Sequence, residues 1–306
     1  MNYLKKNLKN LKKKIMIKKK LQKNAKKIDR FLINFLKKQN FSSLVKPMKY
    51  GAIAGGKKIR STIILDAGKM FNISEKKLLN ICAAVECIHS YSLIHDDLPC
   101  MDNDAIRRGK PATHIKFGEA SAVLAGSSLL TLAFEIIADK KYSIHPKMKN
   151  EITRSLARCS GHTGIAGGQE LDLKFENKKK NINQIINMQK KKTGMLFNFC
   201  LYAAGIVANK KKNEKSFLGN LGEEIGLLFQ LTDDFLDTKG SSKLVGKPIK
   251  KDKKKGKSTL INLMGEEKAY LYAKNLKRKI LRKLKKHGKK ANELINTIEF
   301  ILERKF

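Results

Sequence analysis

The stretch IHSYSLIHDDLPCMDNDAIRRG, residues 88–109, decides how this chain is read. Its first half is the end of an apolar helix closing on an adjacent acid pair, Asp96 and Asp97. His89 and Asp96 are seven residues apart and share a helix face. Pro99 removes a backbone donor and disfavours helix at the residue before it. Asp102 and Asp104 are therefore expected on a loop just past the helix end. From there their carboxylates can fold back toward Asp96, which a straight helix would forbid over six residues.

A second acidic cluster lies far along the chain, in GLLFQLTDDFLD, residues 226–237. The periodicity predicts a helix, with Asp233 and Asp237 neighbours at i and i+4 and Gln230 on the same side. An acidic helix face paired with lysines is the plain alternative. Leu227, Leu228, Phe229 and Phe235 argue instead for a buried helix, where unpaired acids would not persist. Like charges packed together are costly unless cations fill the gap. Mg²⁺ takes carboxylate oxygens and keeps positions for water and substrate phosphate. Two such clusters facing each other predict a polynuclear Mg²⁺ site for a phosphorylated ligand.

Composition makes the acids stand out. The 306-residue chain has 27 acidic residues against 66 basic ones, a formal charge of +39. Its lysines are spread over the whole length, and Trp is absent. Nucleic-acid binders concentrate charge and interleave aromatics, so the excess is read as surface drift and no nucleic-acid partner is expected. Five cysteines without a CxxC pair predict free, mostly buried thiols and a reducing cytoplasm. No secretory signal is visible. The best candidate for a membrane span, around 122–138, is broken by Ser127, Ser128, Thr131 and Glu135, so no transmembrane segment is expected.

An apolar fraction of 42% is ample for a core. From about residue 28 onward helical periodicity dominates, and five prolines leave long helices uninterrupted. An all-α bundle around a central cavity is the expected architecture. Residues 1–27 form a basic extension ahead of a single domain, 28–306. The first 30 residues hold 13 basic residues and one acid, Asp29. Leu4, Leu8, Leu11 and Ile15 fall at helical spacing there, and a frayed, solvated arm is favoured over membrane-surface contact. Met16 is an alternative start. Turns are expected at Gly55-Gly56, at 108–111, at His145-Pro146 and at 240–242, and the Lys-rich stretch 239–257 reads as a loop.

Basic residues supply the other half of the chemistry. Lys57 and Arg60, after Gly55-Gly56, are expected at i and i+3 on one helix face. Arg107 and Arg108 follow the first acids, Lys192 precedes Thr193-Gly194, and Lys247 and Lys257 flank the late loop. Singly each is a surface charge; together they suit two polyanions, with Arg giving bidentate phosphate contacts.

On these residues the chain resembles the trans-isoprenyl diphosphate synthases of the bacterial farnesyl diphosphate synthase type. The matching segments are GGKKIR (55–60), YSLIHDDLPCMDNDAIRRGKPATHIKFGEA (91–120), GGQELDL (167–173), KKTGMLF (191–197), GLLFQLTDDFLD (226–237) and GKSTLINLMG (256–265). They run in the family's order and spacing from about residue 28 to the end. The resemblance implies an isoprenoid synthase fold, an antiparallel helical bundle around a deep cavity, usually as a homodimer. It implies that an allylic diphosphate ionises, isopentenyl diphosphate attacks the cation, and a proton is lost. It implies three Mg²⁺ ions, with Asp96, Asp102 and Asp233 as principal ligands and Asp97, Asp234 and Asp237 in support. It assigns Lys57, Arg60, His89 and Arg108 to isopentenyl diphosphate, and Arg107, Lys192, Thr193, Gln230, Lys247 and Lys257 to the allylic diphosphate. Thr193 and Gln230 are expected to point oxygen dipoles at the cation. Ser61 departs from the family, which often has proline there, and Asn103 and Ala105 stand where relatives often carry acids.

Product length turns on Tyr91, five before Asp96. In this family an aromatic residue there goes with a closed pocket floor and a fifteen-carbon product. Tyr91 lies about 7.5 Å along the axis from Asp96 and about 140° around it, so neighbouring helices must complete the wall. The run DDLPCMDND also resembles geranylgeranyl diphosphate synthases, and farnesyl is the favoured product. A non-catalytic regulatory subunit is disfavoured by the intact clusters, an RNA-binding protein by the spread of charge, and a terpene cyclase by Lys57 and Arg60.

Overall fold

A computed structural model describes residues 2–38, 42–53, 55–239 and 259–302. The all-α expectation holds: strand structure among the described residues is confined to one hairpin. In it Ile106 pairs with Pro111 and Arg107 with Lys110.

The chain opens with α1, Asn2–Lys37, which runs through residue 27 without a break. Its first part bears exposed Leu8, Leu11, Ile15 and Met16, as a solvated arm would. Its second part corrects that expectation. Ile17, Leu21, Ile28, Leu32 and Leu36 are buried, on a stripe of four- and seven-residue steps that docks into the core. Lys20 lies on the docked side, and its ammonium donates to both carboxylate oxygens of Asp66, at 2.9 and 3.0 Å. Thr297, near the other end of the chain, donates to the same carboxylate at 2.5 Å. Buried Asp66 thus ties the first helix to the last.

Next come α2 (Val45–Ile53), α3 (Ile59–Met70) and α4 (Leu79–Asp96). Ile81, Val85 and Ile88 of α4 are fully buried, and the helix packs against α3 and against α6, Glu119–Ala138. Between α4 and α6 lie the hairpin and the short α5, Thr113–Phe117. α6 is long and apolar enough to cross a membrane by length and composition alone, and 44% of its most apolar window is buried within this fold. Pro146 opens α7 (Pro146–Ser160), with His145 accepting from the Lys147 N–H at 3.2 Å. This is the turn expected at His145-Pro146.

The helices α8 (Ile165–Lys174), α9 (Ile182–Gln189), α10 (Met195–Val207) and α11 (Lys212–Lys239) complete the core. α9 starts at a capping box of Asn181 and Gln184. α10 and α11 approach so closely that only glycine fits at two contacts. A Cβ on Gly222 would sit 2.2 Å from the Phe197 carbonyl oxygen, and one on Gly226 would sit 2.6 Å from Gly194 Cα. The C-terminal helices are α12 (Leu260–Met264), α13 (Glu266–Lys285) and α14 (Asn292–Leu302).

The docked half of α1 carries a test. Leu21 is 3% exposed, so Leu21→Ala is expected to lower unfolding free energy by about 2–5 kcal/mol. Denaturant unfolding checks this, and a change below about 0.5 kcal/mol, typical of a surface position, would return the segment to a solvated arm.

Candidate active site

The first acid cluster forms where α4 stops. Asp97 caps the helix, and the loop beyond Pro99 folds back as the sequence predicts. Asp102 N–H donates to the Asp96 carbonyl at 2.8 Å, and Asp104 N–H donates to the Asp97 carbonyl at 3.1 Å. Asn103, at a φ of 48°, takes the left-handed conformation that tightens this return. Arg107 Nε donates to both oxygens of the buried Asp97, at 3.0 and 3.1 Å, and Asp104 lies 3.6 Å from the same guanidinium. Asp97 and Asp104 therefore hold Arg107. The Arg107 guanidinium thus engages both oxygens of Asp97, the residue expected in support of the metal ligands.

The second cluster is on α11, as predicted. Asp233 and Asp237 are half-buried on one face, whereas Asp234 is buried. Asp234 accepts from the Gln189 amide at 2.9 Å and the Gln230 amide at 2.8 Å. Gln230 Oε1 in turn accepts from Thr193 Oγ1 at 2.9 Å. Thr193 sits in a π-turn, Lys190–Gly194, inserted between α9 and α10. Such insertions recur at functional sites because they re-aim side chains without ending the helix.

Lys192, next to Thr193, donates to Asp172 of α8 at 2.5 Å. Gly168 permits this: a Cβ there would lie 2.1 Å from Lys192 N. Both amide polar atoms of Gln169, one turn before Asp172, are buried without a partner. Lys192 is also the charge that most opposes the rise in Asp96's pKa. The π-turn thus bridges the two acid clusters, touching the second through Thr193 and acting on the first through Lys192.

A separate cationic pocket forms where two loops interlock. Gly55 and Gly56 have φ of 92° and 102°. Arg108, itself at φ 54°, donates from Nη1 to the Gly55 carbonyl at 2.8 Å. A Cβ on Gly56 would lie 2.9 Å from Arg108 Cζ, so the second glycine makes room for the guanidinium. α3 begins only at Ile59, with Lys58 in the left-handed conformation. Lys57 therefore precedes the helix, and the expectation that it shares a helix face with Arg60 is corrected. Arg60 stacks on the Phe197 ring at 4.9 Å, and its Nε is buried without a hydrogen-bond partner. An orphaned buried guanidinium donor near Arg108, with Lys57 three residues before it in the chain, is suited to an anion.

Electrostatics separate the two regions. Burial pushes the Asp96 carboxyl up to about 6; Lys192 opposes this, Asp102 adds to it, Arg107 opposes it, and Asp97 adds to it. His89 is held well below the usual imidazole range by burial, then by Arg60, Arg108, Lys58 and Arg107. It is neutral at pH 7 and offers a hydrogen bond without adding to the positive charge. Among the described residues no three acidic, histidine or cysteine side chains converge closely enough to hold an ion alone. A Mg²⁺ ion needs few protein oxygens and readily keeps water and phosphate as further ligands, and the Asp96 carboxyl, raised by burial and by neighbouring acids, is a donor of that kind.

Tyr91 is half-buried and packs edge-on against His95, ring centroids 5.1 Å apart. His95 reaches α6, its Nε2 lying 3.0 Å from the Val123 carbonyl. His95 thus links Tyr91 to α6. Lys247 and Lys257 lie outside the described residues, as do most of the 239–257 stretch and the turn expected at 240–242. Lys58, Glu86 and Asp172, which the geometry brings to these sites, had no role assigned from sequence.

The fold has close counterparts. The polyprenyl synthetase family profile matches residues 41–298. The farnesyl diphosphate synthase of Escherichia coli (strain K12) is 39% identical over 85% of this chain and 89% of its own length. The apo FPP/GFPP synthase of Zymomonas mobilis superposes with a TM-score of 0.84 at 36% identity, over 94% of this chain and 99% of that one. A Helicobacter pylori geranyltransferase, solved with magnesium and isoprenyl diphosphate, superposes with a TM-score of 0.79 at 30% identity, over 93% and 96%. With the two acid clusters, the bridging π-turn and the cationic pocket arranged on that shared fold, this chain belongs to the polyprenyl synthetase family.

Proposed function

We propose that this protein is a farnesyl diphosphate synthase, joining isopentenyl diphosphate to dimethylallyl and then geranyl diphosphate. The observation that carries the reading is the pairing of two unlike anion sites. One is the π-turn between acid clusters; the other is the pocket of Lys57, Arg60 and Arg108 around the Gly55-Gly56 loop. The first suits a diphosphate that must leave, the second a diphosphate that stays attached.

In this reading the allylic diphosphate lies between Asp96 and Asp102 on one side and Asp233 and Asp237 on the other. Lys192 and Arg107 take phosphate oxygens. Asp96, Asp102, Asp233 and Asp237 would hold Mg²⁺, three ions by the family resemblance, which when bound would offset charge on the leaving diphosphate. Thr193 donates to Gln230 and keeps its oxygen lone pairs for the allylic cation. Lys57, Arg60, Arg108 and neutral His89 hold isopentenyl diphosphate. Its double bond attacks the cation, the new carbon–carbon bond forms, and the released diphosphate accepts the proton. The apolar helix faces keep water from the cation.

Tyr91, braced by His95, is the proposed floor of the chain-length pocket. The exposed apolar face of α6, with Val123 42% and Leu124 53% exposed, is the proposed seat of a second copy of the chain. The free, mostly buried thiols fit a cytoplasmic enzyme.

Turnover with isopentenyl diphosphate and each allylic primer tests the reading. Farnesyl diphosphate is expected as the main product with Mg²⁺ and no product with chelator. Asp96→Ala and Asp233→Ala are each expected to lower kcat by about 10²- to 10³-fold or more. Tyr91→Ala is expected to lengthen the product. Full turnover in either aspartate variant would contradict the mechanism, and an unchanged fifteen-carbon product would reject the floor. Light scattering is expected to give twice the chain mass of 34.6 kDa; a monomer at assay concentration would reject the dimer.

A further inference from the structure

We propose that Glu86 is a positioning residue for the isopentenyl diphosphate pocket, and that Ser61 anchors it there. This rests on the assignment of that pocket under the proposed function. Glu86 lies on α4, 1% exposed, one turn before His89. It is an acid in an otherwise apolar run and belongs to neither aspartate cluster.

Its contacts fall on both ends of the short segment that carries Arg60. One oxygen accepts from the Ser61 N–H at 3.2 Å and lies 2.8 Å from the Ser61 hydroxyl. That hydroxyl is also 3.0 Å from the Cys82 carbonyl and donates to the nearer carboxylate. The other carboxylate oxygen lies 3.9 Å from the Lys58 ammonium. Lys58 is pinned in turn by the Ala52 carbonyl at 2.5 Å and by Asp29 at 3.5 Å.

Helix α3 explains why such an anchor is needed. Its N-cap is Lys58, in the left-handed conformation, with no side-chain cap hydrogen bond. A helix start leaves orphaned N–H groups and favours negative charge. Ser, Thr, Asp or Asn at the cap would satisfy the third helical N–H locally. Lysine does not, and Glu86 takes that N–H, from Ser61, from across the interior. Arg60 sits between the two points Glu86 holds, so its guanidinium can aim only as far as the first turn of α3 is fixed.

Charge points the same way. Lys58, Arg60 and Arg108 all act on His89, and Arg108 opposes the charge of Arg60. After burial, Glu86 is the largest influence on both Arg60 and Arg108, and it favours their charged forms. Being buried behind the turn, Glu86 offsets cation repulsion without occupying the face where a diphosphate would bind.

Steady-state kinetics of Glu86→Gln and Ser61→Ala, with Arg60→Ala as a control, test the proposal. Glu86→Gln is expected to raise KM for isopentenyl diphosphate about tenfold, and Ser61→Ala about threefold. For both, kcat and KM for geranyl diphosphate are expected to stay within about twofold of the parent. Leu21→Ala supplies the purely structural comparison, losing stability with both KM values unmoved. If Arg60→Ala raises isopentenyl KM while Glu86→Gln and Ser61→Ala do not, the positioning role is wrong and the pocket stands. If Arg60→Ala leaves that KM unchanged, the pocket assignment fails and takes this inference with it. Both KM values rising together would also overturn the proposal, as general loss of structure. Should Glu86→Gln not fold, Ser61→Ala, which keeps the carboxylate, decides alone.

Discussion

Mutual repulsion among carboxylates, held close by helix ends and faces, is the constraint on which the site depends. Asp96 and Asp102 are brought together because α4 ends before Pro99 and the loop bonds back onto its last carbonyls. Asp233 and Asp237 are neighbours because they lie one turn apart on α11. Burial and like charge raise Asp96 to about 6, a carboxyl that is easier to ionise once a cation is near. Asp97 is committed to Arg107 and Asp234 to two glutamines, so half of each adjacent pair acts as scaffold for the other half.

Glycine sets the distances on which this arrangement relies. Gly222 and Gly226 let α10 and α11 meet backbone to backbone, and Gly168 lets α8 press against the π-turn. Without these approaches Thr193 would not reach Gln230, nor Lys192 reach Asp172. Gly56 does the same for Arg108 in the cationic pocket. The cost of an added Cβ at such points comes from displacing backbone, which cannot repack as a side chain can.

Much of this was legible in the amino-acid order. The helical class, the loop after Pro99, the return of Asp102 and the largely buried helix that carries Asp233 follow from periodicity and proline chemistry. Three features were not. The docked half of α1 was hidden because lysines crowd the segment, and the stripe singled out there, at Leu8, Leu11 and Ile15, is the exposed one. The start of α3 was misplaced by two residues because Lys58 takes a left-handed conformation that lysine composition does not announce. The π-turn at Lys190–Gly194 has no composition signature, since its residues also suit an ordinary helix. Glu86 did leave a signal, a lone acid within the apolar run of α4 in a chain short of acids. Its meaning depends on Ser61 and Lys58, which only the fold brings beside it.

The central claim is that two walls of aspartate act on one diphosphate. A crystal structure with Mg²⁺, isopentenyl diphosphate and a sulfur-substituted allylic analogue that resists ionisation tests it most directly. The account predicts metal contacted by Asp96 and Asp102 on one side and by Asp233 on the other, with the allylic diphosphate between them. Metal confined to a single wall, or an allylic diphosphate seated at Arg60 and Arg108 instead, would contradict it.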